Sequence, residues 1–501
     1  MTKDSSPAAT ACREQPRPLL AHPFDDDKLK EECGVFGIWG ADDAAAHTAL
    51  GLHALQHRGQ ESAGIVSFDG RQFHSHRGLG QVGENFNSGD VIQRLKGFAA
   101  IGHNRYSTQG ETVLRNVQPL FAELELGGLA VAHNGNLTNS RAVRRELVKR
   151  GCIFQSTIDS ETIIHLIATS PYPRLIERLT DGLRQVQGAY SLVLLTNDAL
   201  IGVRDPMGVR PLVLGRLGDA PILASETCAL DIIGASFVRS VEPGEIVVCN
   251  DDGVESIRPL PPARRRFCIF EYIYFARPDS DCEGINVYNV RKRIGAQLAR
   301  ESGVPADVIL PVPDSGTPAA MGYAAEAGIA FELGIIRNHY VGRTFIEPTQ
   351  RIRDLGVKLK HNANRGQICG KRVILVDDSI VRGTTSRKIV QMVRDAGASE
   401  VHMRIASPPT THSCFYGIDT PSRSELLAAQ MDLEEMRRHI GVDSLAYISI
   451  DGLYRAVAGA PRDDDAPQYC DACFTGDYPI ALVDHEVGDG AVQLSLLAES
   501  A

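Results

Sequence analysis

Cys33 opens the first stretch of the chain able to build a core. Residues 1–32 are rich in Pro, Asp, Lys and Glu and have no apolar period. The run CGVFGIW that follows alternates like a strand, with Val35, Phe36, Ile38 and Trp39 as its apolar members. A thiol attacks as thiolate, and a free pKa of about 8.5 leaves only a minority ionised at neutral pH. Removal of residues 1–32 would create a base on the same residue, because a new α-amino group has a pKa near 8. Three segments offer matching chemistry. HNRYSTQG places Arg105 and Thr108 in a Gly-bounded loop, and an arginine fork suits a carboxylate. HNGNLTN joins the Asn134 amide to the Gly135 backbone N–H, a pair able to hold an oxyanion. TIDSETI offers Asp159 to an ammonium group. Together they suit an α-amino acid whose side-chain amide meets a thiolate, which is glutamine. Singly they are weak: Asn-Gly is ordinarily a hairpin turn, and a cysteine at a strand start is ordinarily a small buried apolar residue.

The second half carries a different chemistry. VILVDDSIVRGTTS reads as a buried strand ending in Asp377 and Asp378, then a loop of Arg382, Gly383, Thr384 and Thr385 that opens a helix. Backbone N–H groups and hydroxyls at such a helix start form a phosphate site. The two carboxylates suit ribose hydroxyls, directly or through Mg²⁺. ILPVPDSGTPAAMGYA repeats the pattern: Val308–Leu310 as strand, Ser315 in the loop, then an Ala-rich helix. Residues 337–372 hold nine Lys/Arg against two acids. Beside a polyphosphate site, such a Gly- and Pro-containing segment reads as a closing lid with Arg343, Lys358 and Lys360 as its cations. GLGQVG at 78–83 fits a dinucleotide fingerprint in letters only, since its flanks are polar and lack the strand and helix that motif requires.

These residues need two kinds of scaffold. Residues 33 to about 260 are dense in short β-patterned runs with glycine turns, interrupted by helical patterns in DAAAHTALGLHALQHRG and IDSETIIHLIATS, which predicts an α+β domain on antiparallel sheets. PLPPARRRF at 259–267 breaks both periodicities and marks a boundary. Beyond it, Val373–Val376 as a strand, a helix capped by Thr384 or Thr385 with Ile389, Val390 and Val393 inward and Gly397 at its end, and a strand Val401–Ala406 form a βαβ unit. The expected division is a disordered or cleaved leader at 1–32, domains at 33–262 and 263–460, and a C-terminal segment with an acidic tail at 461–501.

Composition narrows the class. A chain of 501 residues exceeds one ordinary core. Its net charge of −10 argues against general nucleic-acid binding. No apolar run spans a membrane and the first residues lack a secretory apolar core, so a cytoplasmic protein is expected. In that reducing setting the eleven cysteines should be thiols. Cys152, Cys228, Cys249 and Cys369 read as inert core residues, while Cys470-x-x-Cys473 is ambiguous between zinc, redox chemistry and neither.

CGVFGI, LQHRGQESAGI, NRYST.G and HNGNLTN resemble the N-terminal-nucleophile glutamine amidotransferases, and DDSIVRGTTS resembles the phosphoribosyltransferase signature. From Cys33 to about Pro479 the chain is similar to the glutamine phosphoribosylpyrophosphate amidotransferase family. The resemblance implies an αββα sandwich followed by an α/β domain with a parallel sheet. It implies Cys33 as nucleophile, Asn134 and Gly135 as oxyanion hole, and Arg105, Thr108 and Asp159 as glutamine clamp. Phosphoribosylpyrophosphate would be held by Ser315, Asp377, Asp378, Arg382, Gly383, Thr384, Thr385, Arg343 and Lys358, with Mg²⁺ at Ser315, Asp377 and Asp378. Ammonia would pass through an enclosed channel to ribose C1, giving 5-phosphoribosylamine. One branch of the family holds a [4Fe–4S] cluster on four cysteines, which correspond here to Cys268, Cys414, Cys470 and Cys473; zinc is the alternative, since four thiolates do not select the metal. Purine nucleotide inhibition and a homo-oligomer, a tetramer, are also implied. Three rivals are another ammonia-using synthase, a non-catalytic phosphoribosyl-binding regulator and an iron–sulfur sensor. The DDSIVRGTTS motif opposes the first, and intact Cys33, Arg105 and Asn134 oppose the second.

Overall fold

The computed structural model describes residues 33–106, 112–338 and 361–486. Gly34–Trp39 forms the middle strand of a seven-stranded sheet in the order Ser236–Ser240, Val213–Leu217, Ala220–Ala224, Gly34–Trp39, Ala99–Arg105, Ser62–Phe68, Phe73–Leu79. The pairings are antiparallel, with Gly34 opposite Asn104 and Trp39 opposite Ala99. Every residue of the strand is buried, and its alternation divides it between two cores. Phe36 and Ile38 pack with Leu52 and Leu55, from and just beyond helix Ala44–Ala54. Val35 and Trp39 pack with Ala130, Ala132 and Val193 of a second sheet. Gly37 permits the two sheets to close: a Cβ there would lie 2.7 Å from side-chain carbons of Val193 and Leu200.

The second sheet has six strands, ordered Gly253–Ile257, Ile246–Asn250, Leu200–Arg204, Gly188–Thr196, Gly127–Leu137, Leu120–Leu124. Helices Ser140–Lys149, Ser160–Thr169 and Leu175–Leu183 cover its outer face through Leu147, Ile163, Ile167, Leu179 and Leu183. The layers are therefore helix, sheet, sheet, helix, as expected.

After an irregular passage at 258–266 the architecture changes. Strands Val308–Pro311, Arg372–Asp377, Glu400–Ile405 and Ser444–Tyr447 form a parallel sheet in that order. Val373–Val376 is fully buried, which matches a strand covered on both faces. The following helix, Thr384–Asp395, is not capped by a threonine side chain: its N-cap is Gly383 at φ 78°. The tight turn out of the strand needs a left-handed residue, which glycine supplies without steric cost.

The C-terminal segment returns to both earlier layers. Tyr469–Cys470 runs parallel to Phe267–Cys268, with Cys470 opposite Cys268. Asp484 reaches helix Ser140–Lys149, accepting from the backbone N–H groups of Arg141 at 2.7 Å and Ala142 at 3.1 Å. Among the described residues no helix is long and apolar enough to cross a membrane.

Candidate active sites

The first site lies where the two stacked sheets meet at their ends. Cys33 is buried, and its Sγ–H donates to the Tyr106 carbonyl at 3.5 Å. Burial pushes the thiol up to about 11, opposed by the Tyr106 bond and the Arg105 charge and assisted by Asp159 and Glu61. A thiol held that high carries little thiolate at neutral pH, so attack by this sulfur would require a base. Arg105 ends the strand paired with the Cys33 strand and is almost fully buried. Asp159 accepts the Leu137 N–H at 2.9 Å and lies 3.6 Å from His133 Nδ1. Its burial opposes ionisation, but the His133 charge and the hydrogen bonds of His133, Leu137 and Ser160 hold its carboxyl below the usual range.

Asn134 and Gly135 sit in strand Gly127–Leu137, whose neighbour His133 links the sheets by accepting His103 Nε2 at its carbonyl, 3.0 Å away. The Asn134 side chain is fully buried, and neither its oxygen nor its nitrogen has a hydrogen-bond partner among the described residues. A buried amide left unmatched is costly, and such groups concentrate where a ligand completes them. Gly135 has φ 140°, and Gly417 packs directly on it: a Cβ on Gly417 would lie 2.9 Å from the Gly135 Cα. Asn136 Nδ2 donates to the Phe415 carbonyl at 2.9 Å. Thus Cys33, Arg105 and Asp159 lie within electrostatic reach of one another, and Asn134 and Gly135 follow His133, which meets both Asp159 and the Arg105 strand. Thr108 lies outside the described residues. Glu61 and His133, which reach Cys33 and Asp159 electrostatically, lie within LQHRGQESAGI and HNGNLTN, but those runs assigned them no role.

The second site lies at the C-terminal ends of parallel strands. Asp377 ends strand Arg372–Asp377, and Asp378 follows; both are buried. The Ser315 hydroxyl donates to one Asp378 oxygen and that of Ser379 to the other, at 2.8 Å for Ser379. Gly316 lies against the strand end, where a Cβ would meet the Val376 carbonyl oxygen at 2.5 Å. Ser315 is thereby brought to the carboxylates from 63 residues away, with the start of helix Thr384–Asp395 beyond them. Arg382 ion-pairs with Glu425 at 3.4 Å. Arg343, Lys358 and Lys360 lie outside the described residues.

The cysteines form a third centre. Cys268, Cys470 and Cys473 are buried and Cys414 half-buried in one core. Burial and then neighbouring cysteines push Cys470 and Cys473 well above the usual thiol range, the charges of Cys268 and Cys414 bearing on both. The Cys473 carbonyl accepts from Thr411 and His412 N–H, and Tyr416 N–H donates to Cys414 Sγ at 3.4 Å. Arg210, fully buried, lies in the field of Cys268, Cys414 and Cys470. A thiol-only donor set with a buried cation suits a thiolate-held group. Among the described residues no group of three or more His, Cys, Asp or Glu side chains is placed to hold a metal ion. Of the cysteines read as inert core, Cys228 and Cys249 are buried, Cys152 is half-buried and Cys369 is exposed. Cys369 follows a four-residue helix whose inward residue is Ile368, so the thiol falls on the outer side.

Known proteins decide the family. A glutamine amidotransferase domain matches residues 103–231 and a phosphoribosyl transferase domain matches 286–406. The amidophosphoribosyltransferase of Rhizobium etli is 59% identical over 484 residues, covering 95% of this chain and 98% of that protein. The chain belongs to the amidophosphoribosyltransferase family. The Bacillus subtilis amidophosphoribosyltransferase is 50% identical over 455 residues, 91% of this chain and 95% of that one. The solved Bacillus subtilis glutamine phosphoribosylpyrophosphate amidotransferase, complexed with ADP and GMP, superposes with a TM-score of 0.85 at 49% identity, covering 90% of this chain and 98% of that one. The protein is a glutamine-hydrolysing pentosyltransferase of the amidophosphoribosyltransferase family, and its reaction is the glutamine-dependent first step of purine biosynthesis: glutamine supplies ammonia, which displaces pyrophosphate from phosphoribosylpyrophosphate.

Proposed function

We propose that the two half-reactions are divided between units 33–262 and 263–460, with residues 461–486 tying them together. In the first, the Cys33 α-amino group, freed by removal of residues 1–32, takes the thiol proton and Sγ attacks the glutamine carboxamide. Asn134 Nδ2 and the Gly135 N–H receive the oxyanion. Arg105 and Thr108 hold the α-carboxylate, and Asp159 the ammonium. The observation that carries this reading is the Asn134 amide, fully buried with both polar atoms unmatched among the described residues.

In the second, Ser315, Asp377, Asp378 and the 382–385 loop bind the phosphoribosyl group, with Arg343 and Lys358 as lid cations. Mg²⁺ at Asp377 and Asp378, with Ser315 beside it, would neutralise charge on the departing pyrophosphate; oxygen donors and a partly filled protein shell suit that ion. Cys268, Cys414, Cys470 and Cys473 would hold a [4Fe–4S] cluster. One zinc ion needs four sulfurs about 2.3 Å from a common centre, whereas a cluster spreads its thiolates over separate irons. Zinc is the alternative, since four thiolates alone do not select the metal. A cluster here is structural or oxygen-sensing, since neither half-reaction moves electrons. Purine nucleotides would inhibit a cytoplasmic homo-oligomer; the Bacillus subtilis structure, complexed with ADP and GMP, supports the inhibition.

The test is Cys33→Ala. Glutamine-dependent pyrophosphate release is expected to vanish while the ammonia-dependent rate persists. Equal loss of both would overturn the division of labour.

A further inference from the structure

Between the first site and the cysteine centre runs a row of buried charges. Arg58, in the short helical turn Gln56–Arg58, is about 1% exposed, and its Nε donates to the Cys33 carbonyl at 3.2 Å. Its Nη1 donates to Glu226 at 2.6 Å, and its Nη2 to Glu271 at 2.8 Å. Nη1 also reaches the second Glu271 oxygen at 3.1 Å, so that grip is bidentate. Burial alone would favour loss of the Arg58 proton, but the Glu271 and Glu226 carboxylates hold the guanidinium charged. Glu271 comes from the other unit, three residues after Cys268. On its far side Arg210 Nη1 lies 3.6 Å from Glu271 Oε1. The Cys268 N–H donates to the carbonyl of Val209, the residue before Arg210, at 3.2 Å, and Arg210 lies in the field of Cys268, Cys414 and Cys470. Glu226 is held by partners beyond the boundary as well: Ser280 Oγ at 2.7 Å and Arg277 N–H at 2.9 Å.

Burying four such charges is a poor route to stability, because desolvating each ion costs several kcal/mol and an apolar packing would serve as well. What a bidentate guanidinium–carboxylate pair supplies is fixed orientation. Here the oriented object is the peptide group of Cys33. The direction of its carbonyl constrains where the amine and Sγ of the same residue can point.

We infer that Glu271 is a positioning residue for glutamine hydrolysis. It locks Arg58 on the Cys33 carbonyl and, through Arg210, makes the geometry of that peptide depend on the state of the four-cysteine pocket. The inference rests on Cys33 being the nucleophile and, for the arm through Arg210, on the four cysteines holding the proposed iron–sulfur group. Glu271 touches neither substrate nor sulfur in this role, and acts through Arg58 alone.

The test uses holoenzyme from which residues 1–32 have been removed, and Glu271→Gln, which keeps the shape and removes the charge. Expected are a loss of at least ten-fold in glutamine-dependent kcat and an equal slowing of Cys33 alkylation by a diazoketone analogue of glutamine. The glutamine KM should stay within about three-fold, and the ammonia-dependent rate within two-fold. Removing the iron by chelation should slow alkylation of Cys33 in the wild type but cause no further slowing in E271Q. Arg210→Gln, which leaves the Arg58–Glu271 pair intact, should reproduce the chelated wild type, with Arg210→Lys restoring the native alkylation rate. Parallel loss of the glutamine and ammonia rates in E271Q would mean a structural role only and overturn the inference, as would unaltered alkylation in E271Q and R210Q. Failure of the underlying reading is distinct: Cys33→Ala would then retain glutamine turnover, or the diazoketone would label another residue.

Discussion

Asn134 separates a stability role from a catalytic one more cleanly than any other side chain of the first site. Its amide has no hydrogen-bond partner among the described residues, so deleting it removes nothing from the resting fold except packing. Asn134→Ala should lower glutamine-dependent kcat by about 10²–10³, the usual effect of losing one oxyanion donor, with the melting temperature and ammonia-dependent rate near wild type. Cys33 gives a prediction in pH. In the chain that still carries residues 1–32, the thiol pushed up to about 11 should be alkylated by iodoacetamide at a rate that climbs steadily between pH 7 and 10. After removal of those residues the profile should level off near pH 8, where the amine titrates. An unchanged profile would show that the amine is not the base. These residues could be named as candidates from sequence because each belongs to a short run of unusual composition. Glu271 could not: an isolated charged residue has no period or spacing to signal that folding will bury it against a partner 213 residues away. Arg58 and Glu61 lie in LQHRGQESAGI, but nothing in that run says which charges they meet.

Strands and helices followed their apolar patterns where a single core faced them. Val373–Val376 and the Ile389–Val390–Val393 helix face were legible because both are fully covered. The N-cap was misplaced because Thr384 and Thr385 carry good capping side chains, while the deciding factor was a turn that only Gly383 makes easily. Helix Ser140–Lys149 shows the opposite case. Its own N-cap, Asn139, gives the helix no side-chain bond, its amide being spent on the Gln185 carbonyl and Gln187 N–H, and Asp484 does that work from the far end of the chain. Asp484→Ala should cost about 1 kcal/mol locally, visible as roughly five-fold faster amide exchange at Arg141 and Ala142. Exchange in strand Arg372–Asp377 should be unaffected. Nothing near Asp484 in sequence marks it as a cap, since capping signals are read from neighbours.

Across the whole molecule, the division into an antiparallel double-sheet half and a parallel-sheet half was readable from the change of pattern near residue 260. The contacts between the halves were not, because they depend on shape and not on periodicity. Gly417 lies so close to Gly135 that Gly417→Ala should displace the strand bearing Asn134. Glutamine-dependent turnover should fall far more than ammonia-dependent turnover in that variant, and equal retention of both would show that the contact is slack. The same closeness governs how the protein could be taken apart. Cut free at residue 262, the glutaminase half would lose the cover over Gly135, the carboxylate that caps its outer helix and one of the two counter-charges of Arg58. It is not a portable module: transplanted onto a foreign ammonia acceptor, it would have to bring the 267–280 and 411–417 segments with it.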